Sequence, residues 1–331
     1  MAKIKYENWR PGPEVMSEIR RAEQICRAYA AQGYDLTLRQ LYYQFVARDW
    51  IPNTMQSYKR LGDIVNKARL AGLLDWNYIV DRTRNLRSNS HWRDPDSIIN
   101  AAARSFQVDK WADQERRVEV WVEKEALAGI VERVASEHDV AWFSCRGYVS
   151  QSELWGAAQR HYRYIKGGQG VTVLHLGDHD PSGIDMTRDI RDRLEKFLDY
   201  DWLNAHVDEF EGDRVLIRDI RDAMRRHVGD HPIEVRRIAL NYNQVEEYDP
   251  PPNPAKLTDS RANGYVAEHG YDSWELDALD PNTLAGLITE HVEGLRDDDL
   301  YEVQQSIEDE HRRLLELASS RWDDIVDLLR S

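Results

Sequence analysis

Apolar positions in the first part of the chain recur at helical spacing. Residues 14–31 predict a helix that stops at Gly33. Thr37 is a natural N-cap for a second helix over 38–47, where Leu38, Leu41, Tyr42, Phe45 and Val46 fall at i, i+3, i+4, i+7 and i+8 and make one apolar face. Pro52 and Asn53 break the chain, and residues 57–74 predict a third helix rich in Lys and Arg. Residues 76–84 then predict a strand entering a basic loop. Three short helices followed by a β-ribbon form the pattern of a winged helix, with the third helix lying on DNA.

From residue 117 the pattern alternates between short apolar runs and amphipathic stretches. Strands are predicted over 118–122, 140–143, 171–176 and 233–240, and helices over 125–136, 153–165 and 184–198. That alternation defines an α/β domain with a mainly parallel sheet. The run Asp249-Pro-Pro-Pro-Asn-Pro254 is a rigid crossing segment, and the residues beyond it read as a helical C-terminal part. The expected division is a winged-helix domain over 1–110 and an α/β domain with a helical extension over 111–331.

Charge separates these parts. The whole chain carries a net charge of −15, which argues against a nucleic-acid partner, but residues 1–110 carry net +6 and the remainder −21. A basic front on an acidic back is expected where only one domain faces a polyanion, so duplex DNA is the expected partner. Cys26 and Cys145 stand in no metal-ligand spacing and read as thiols of a reducing compartment. No apolar run approaches the ~20 residues that span a bilayer, and Met1-Ala-Lys-Ile-Lys lacks a signal-peptide core. These features predict a cytoplasmic location with no membrane contact.

Candidate chemistry lies in His175-Leu-Gly-Asp-His-Asp-Pro-Ser-Gly-Ile-Asp-Met186, where Asp178 and Asp180 directly follow an apolar strand. Glu123 follows the strand 118–122 in the same way. Ligands of parallel α/β sheets bind outside the carboxyl ends of the strands, and three hard oxygen donors there suit Mg²⁺, with Mn²⁺ as an alternative. Helix capping by Asp178 and Asp180 is the competing explanation. His179 is no argument for zinc, since no cysteine or second histidine completes a set; it is expected to point away.

Glu123 in Val-Glu-Lys-Glu-Ala, followed by Asp178-His-Asp-Pro-Ser-Gly, resembles a Toprim domain, the metal-binding module of topoisomerases, primases and some nucleases. Pro181, Gly183, Ile184 and Asp185, Arg237-Ile-Ala-Leu, Tyr248-Asp-Pro-Pro-Pro-Asn-Pro, Leu257-Thr-Asp259 and Trp274-Glu-Leu-Asp-Ala-Leu279 resemble more closely the topoisomerase VI A subunit and the related meiotic double-strand-break protein. The resemblance implies a nucleophilic tyrosine in Arg39-Gln-Leu-Tyr-Tyr43, a homodimer in which each tyrosine meets the partner's metal site, and a 5′-phosphotyrosyl link to DNA. Tyr42 lies on the apolar face; Tyr43 falls off it, one turn from Arg39, and is expected at the surface. Arg39 would stabilise the phenolate or the charge growing on phosphate. Lys59, Arg60, Lys67, Arg69, Arg82, Arg84 and Arg87 are the expected phosphate contacts.

The sequence also departs from that family. Arg146-Gly-Tyr-Val-Ser replaces its Gly-x-Pro-Asp pattern, and the N-terminal segment by which that family docks an ATPase subunit is expected to be short or absent. No phosphate-binding Gly-x-x-x-x-Gly-Lys-Ser/Thr motif is present, so strand passage would need an ATPase B-type subunit, which nothing else indicates. A stand-alone enzyme is expected. Two other readings stay open: a Toprim nuclease that uses metal-activated water, and a non-catalytic DNA-binding protein with a relict site.

Overall fold

The computed structural model describes residues 3–34, 36–80, 91–206 and 216–331. The predicted phosphate contacts Arg82, Arg84 and Arg87 lie outside the described residues. Three N-terminal helices, α1 (Pro13–Ala31), α2 (Leu38–Val46) and α3 (Met55–Leu70), share one core built on Ile19, Tyr29, Leu41, Phe45, Leu61 and Ile64. Thr37 caps α2 in a reciprocal box: its hydroxyl accepts the Gln40 N–H at 3.3 Å, and Gln40 Oε1 accepts the Thr37 N–H at 2.8 Å.

The strand expected over 76–84 is corrected over 76–80; residues 81–84 lie outside the described residues. Trp76–Tyr78 forms a 3₁₀ turn, and Ile79 makes only an isolated parallel bridge with Leu36. The cause is local: Asp75 accepts the Asn77 N–H at 3.0 Å and closes the turn, while Arg69 donates to the carbonyls of Trp76 and Ile79. Helix α4 (Pro95–Ser105), which the periodicity missed, starts at a capping box between Asp94 and Ser97. It packs on the far end of the chain, where Ser319 Oγ donates to Asp96 at 2.5 Å and Lys110 Nζ pairs with Glu308 at 2.6 Å.

The α/β part runs β1 (Arg116–Val122), α5 (Ala128–Glu137), β2 (Ala141–Ser144), α6 (Gln151–Lys166), β3 (Gly170–Leu176), α7 (Pro181–Ala205), α8 (Ile217–Val228) and β4 (Ile233–Ala239). The four strands are all parallel in the order β2-β1-β3-β4. The chain continues through α9 (Tyr242–Tyr248), β5 (Asn253–Pro254), α10 (Ala262–His269), β6 (Asp272–Ser273), α11 (Pro281–Glu293), α12 (Asp298–Ser320) and α13 (Trp322–Arg330). Alternation along the strands builds two apolar layers. Val118, Val120, Val122, Leu174 and Leu176 face α5 and α11, while Trp121, Val173 and Val235 face α6 and α7. The fold is therefore α/β with a helical C-terminal part. Among the described residues, no helix is long and apolar enough to cross a membrane.

Glu119, on the α6 side of β1, is buried with its charge. Its carboxylate accepts two bonds from Arg160, at 2.7 and 2.9 Å, and one from the Trp121 indole at 2.9 Å. Burial works to raise this carboxyl, but His161 and Arg160 outweigh it and hold it well below the ordinary carboxylate range. A depressed carboxyl stabilises the fold fully above its unfolded value near ~4.3 and loses that contribution as pH falls below it. Thermal melts between pH 7 and 3 should show this acid loss in the wild type. Glu119→Gln should start lower, by about 3–5 kcal/mol, and lose less on acidification.

Candidate active site

Strand register brings the acidic residues together. Val122 on β1 pairs with Leu176 on β3, so both strands end at the same level. The Glu123 N–H donates to Leu176 O at 2.8 Å, and the Asp178 N–H donates to Glu123 Oε2 at 2.9 Å. Two residues later Asp180 opens α7, its Oδ1 accepting the Gly183 N–H at 2.6 Å and the Ser182 hydroxyl at 2.9 Å. Asp180 is thus both a helix cap and a neighbour of the other two acids. Gly183 is required by close approach: a Cβ there would stand 2.2 Å from the Asp178 carbonyl oxygen. Gly183→Ala should therefore open the β3–α7 turn, costing ~1–3 kcal/mol; thermal melting checks this.

Arg237 on β4 fixes the same turn from below. Its buried guanidinium donates to the carbonyls of Gly177 (2.9 Å), Asp178 (2.5 Å) and Gly183 (2.9 Å), and to the Thr187 hydroxyl (3.1 Å). Burial pushes it down to about 10. The Thr187 hydroxyl also meets His175 Nδ1 at 2.8 Å. His179 points away from the acids, as expected, into a cluster with Tyr242, Tyr265, His269 and Trp274; its Nδ1 lies 2.9 Å from the Tyr265 hydroxyl.

A second layer of charge joins this site to α2. Lys124 Nζ stands 2.8 Å from Asp178 Oδ1, 2.8 Å from Glu275 Oε2 and 3.0 Å from Asp277 Oδ1. Arg39 pairs with the same Glu275 and lies 3.1 Å from Asp277. Against the desolvation of burial, Lys124 and Arg39 hold Glu275 at about 2. Further bonds cross the same seam, from the Tyr29 hydroxyl to Asp280 at 2.7 Å and from the Asn53 amide to Asn253 at 2.6 Å.

Tyr43 is corrected: it is 3% exposed, not at the surface. The α2 face that the apolar stripe leaves open is covered by the 275–278 turn, whose Ala278 joins the N-terminal core. Tyr42 is buried too, its ring edge-on to Tyr43 at 5.3 Å. Arg39 does lie beside Tyr43, 5.8 Å from the ring centre. Burial, then Asp277 and Glu275, push the Tyr43 hydroxyl upward, against the pull of Arg39. A cavity of about 190 Å³ opens on Tyr43, lined also by Tyr42, Tyr58, Asn53 and Asn253.

The basic residues divide. Arg60 is exposed on α3 and forms a two-pronged pair with Glu18 at 2.7 and 3.0 Å. Arg69 is half-buried, lies 4.5 Å over the Trp76 ring and donates to the carbonyls of Trp76 and Ile79. Both guanidiniums have structural tasks that their sequence positions do not reveal. Lys59 and Lys67 are exposed on α3.

Glu123 and Asp178 are buried and Asp180 is half-buried. Each uses one carboxylate oxygen in the bonds above, and none of their other oxygens accepts a hydrogen bond among the described residues. Burial, reinforced by the charge of Asp180, raises the Glu123 carboxyl against the pull of Lys124 and Arg237. Among the described residues, no group of three His, Cys, Asp or Glu side chains forms a ready metal cage. Mg²⁺ does not require one, since it keeps several waters and takes one or two carboxylates plus substrate phosphate. The donor chemistry fits Mg²⁺ in that open form.

No protein-family model matches the chain, and no curated protein is significantly similar to it. Sequence reasoning missed Lys124, Arg237 and Asp277 as parts of the site. Each stands inside a motif singled out for other residues: Glu123-Lys-Glu125, Arg237-Ile-Ala-Leu and Trp274-Glu-Leu-Asp-Ala-Leu279.

Proposed function

We propose that this chain is a Mg²⁺-dependent DNA-cleaving enzyme of the topoisomerase VI A type. Supporting the reading is one observation above all: the β1–β3 register gathers Glu123, Asp178 and Asp180 at one strand end, and a ladder of ion pairs connects them to the helix that bears Tyr43. In this reading Tyr43 Oη attacks a backbone phosphorus, the bond from phosphorus to the 3′ oxygen breaks, and the departing 3′-hydroxyl takes up a proton. Glu123, Asp178 and Asp180 hold the metal, which supplies charge neutralisation at the scissile phosphate. Lys59 and Lys67 on α3 meet flanking phosphates and make binding salt-dependent.

The buried Tyr43 belongs to a resting state. Its hydroxyl is disfavoured as a phenolate while it faces Glu275 and Asp277, so α2 must part from that turn before attack. A homodimer in which Tyr43 reaches the partner's acids satisfies this requirement. The burial also favours a second reading, a nuclease in which metal-activated water attacks and Tyr43 is a core residue.

Protein, plasmid and Mg²⁺, stopped with detergent, separate the readings. Broken ends that carry protein support transesterification, and free ends support the nuclease. Intact plasmid with any divalent metal overturns both.

A further inference from the structure

Lys124 has more carboxylate partners than neutralisation requires. One ammonium carries three hydrogens, and each finds a different acid: Asp178, Glu275 and Asp277. The side chain is only 17% exposed and that of Asp277 is fully buried. A lysine this enclosed cannot be left without an anion, because an unpaired buried charge is strongly unfavourable. With three partners it can lose one and remain paired.

The partner it shares with the acidic site is Asp178. Oδ1 of that carboxylate already receives the Leu276 N–H at 2.8 Å, which holds it in place whether or not Lys124 is present. A divalent cation on the other Asp178 oxygen would face the ammonium with like charge across one carboxylate. Glu275 and Asp277 lie on the far side of Lys124, toward Arg39.

Resting on the metal-dependent reading above, we propose that Lys124 is a tethered counter-cation of the acidic site. It neutralises Asp178 in the metal-free chain and, when a divalent cation binds, gives up Asp178 while keeping Glu275 and Asp277. Lys124 is a positioning residue in this account, acting through Asp178.

The test uses the full chain and the metal alone. Lysine labelling with an amine-reactive reagent, read by peptide mass spectrometry, is compared without metal and with saturating Mg²⁺ or Mn²⁺. Labelling of Lys124 should rise several-fold with metal, since the amine gives up one of the three carboxylates that enclose it. Calorimetry on Lys124→Gln should show metal affinity raised by ~10-fold, the like charge having been removed. If wild-type protein binds metal but Lys124 labelling stays constant, the exchange is overturned and the metal site stands. If wild-type protein binds neither metal, the metal reading falls and this inference with it. The labelling arm needs no variant, so poor folding of Lys124→Gln leaves the test intact.

Discussion

Tyr43→Phe is expected to abolish covalent capture of DNA, a loss of at least ~10³-fold, while the protein stays folded. The substitution removes a single oxygen. The ring remains in the N-terminal core, edge-on to Tyr42, so packing is conserved. The lost hydroxyl faces two carboxylates, and its removal should change stability by no more than ~1–2 kcal/mol. Tyr42→Phe is the matched control. Its hydroxyl donates to Asn53 Oδ1 at 2.9 Å and lies 3.2 Å from the Thr54 carbonyl, so it should cost a similar amount of stability and leave capture intact. Denaturing gels and thermal melts read both variants. Cleavage with free ends in Tyr43→Phe would assign the chemistry to water.

Replacing Asp178 and Asp180 together with Asn should weaken Mg²⁺ or Mn²⁺ binding by ~10²-fold or more, with the fold retained. Asn is as good a helix cap as Asp, so Asn at position 180 still starts α7. Asn at 178 still accepts the Leu276 N–H, and Lys124 keeps Glu275 and Asp277. What disappears is the charge that a hard cation needs. Calorimetry at fixed pH measures the effect, and unchanged affinity in the folded double variant would remove these residues from the metal site.

The parallel sheet was legible because β1 and β3 are rich in apolar residues and lead into acids, Glu123 directly after β1 and Asp178 after a single Gly177. Equal strand length then puts Glu123 and Asp178 side by side without further information. The burial of Tyr43 was not legible. Helical periodicity reports only the face of α2 that packs within its own helical cluster, and the cover on the other face comes from Glu275–Ala278, far along the chain. The partners of Arg60 and Arg69 were not legible for the same reason, since Glu18 and the Trp76 turn are tertiary contacts. Helix α4 carried a readable cap, Asp94 and Ser97, but its apolar side packs on α12, which periodicity alone cannot assign. Lys124 stood in plain view between Glu123 and Glu125; only the folded chain shows that it bridges three acids.

The central claim is that Tyr43 forms the bond to DNA. Wild-type protein trapped on DNA with Mg²⁺, then digested with nuclease and protease, allows the modified peptide to be sequenced by mass spectrometry. The account predicts a nucleotide joined through its 5′ phosphate to Tyr43, in the peptide that also holds Tyr42, with Tyr42 unmodified. An adduct on any other residue, or cleaved DNA with free 5′ phosphates and no adduct, would contradict it.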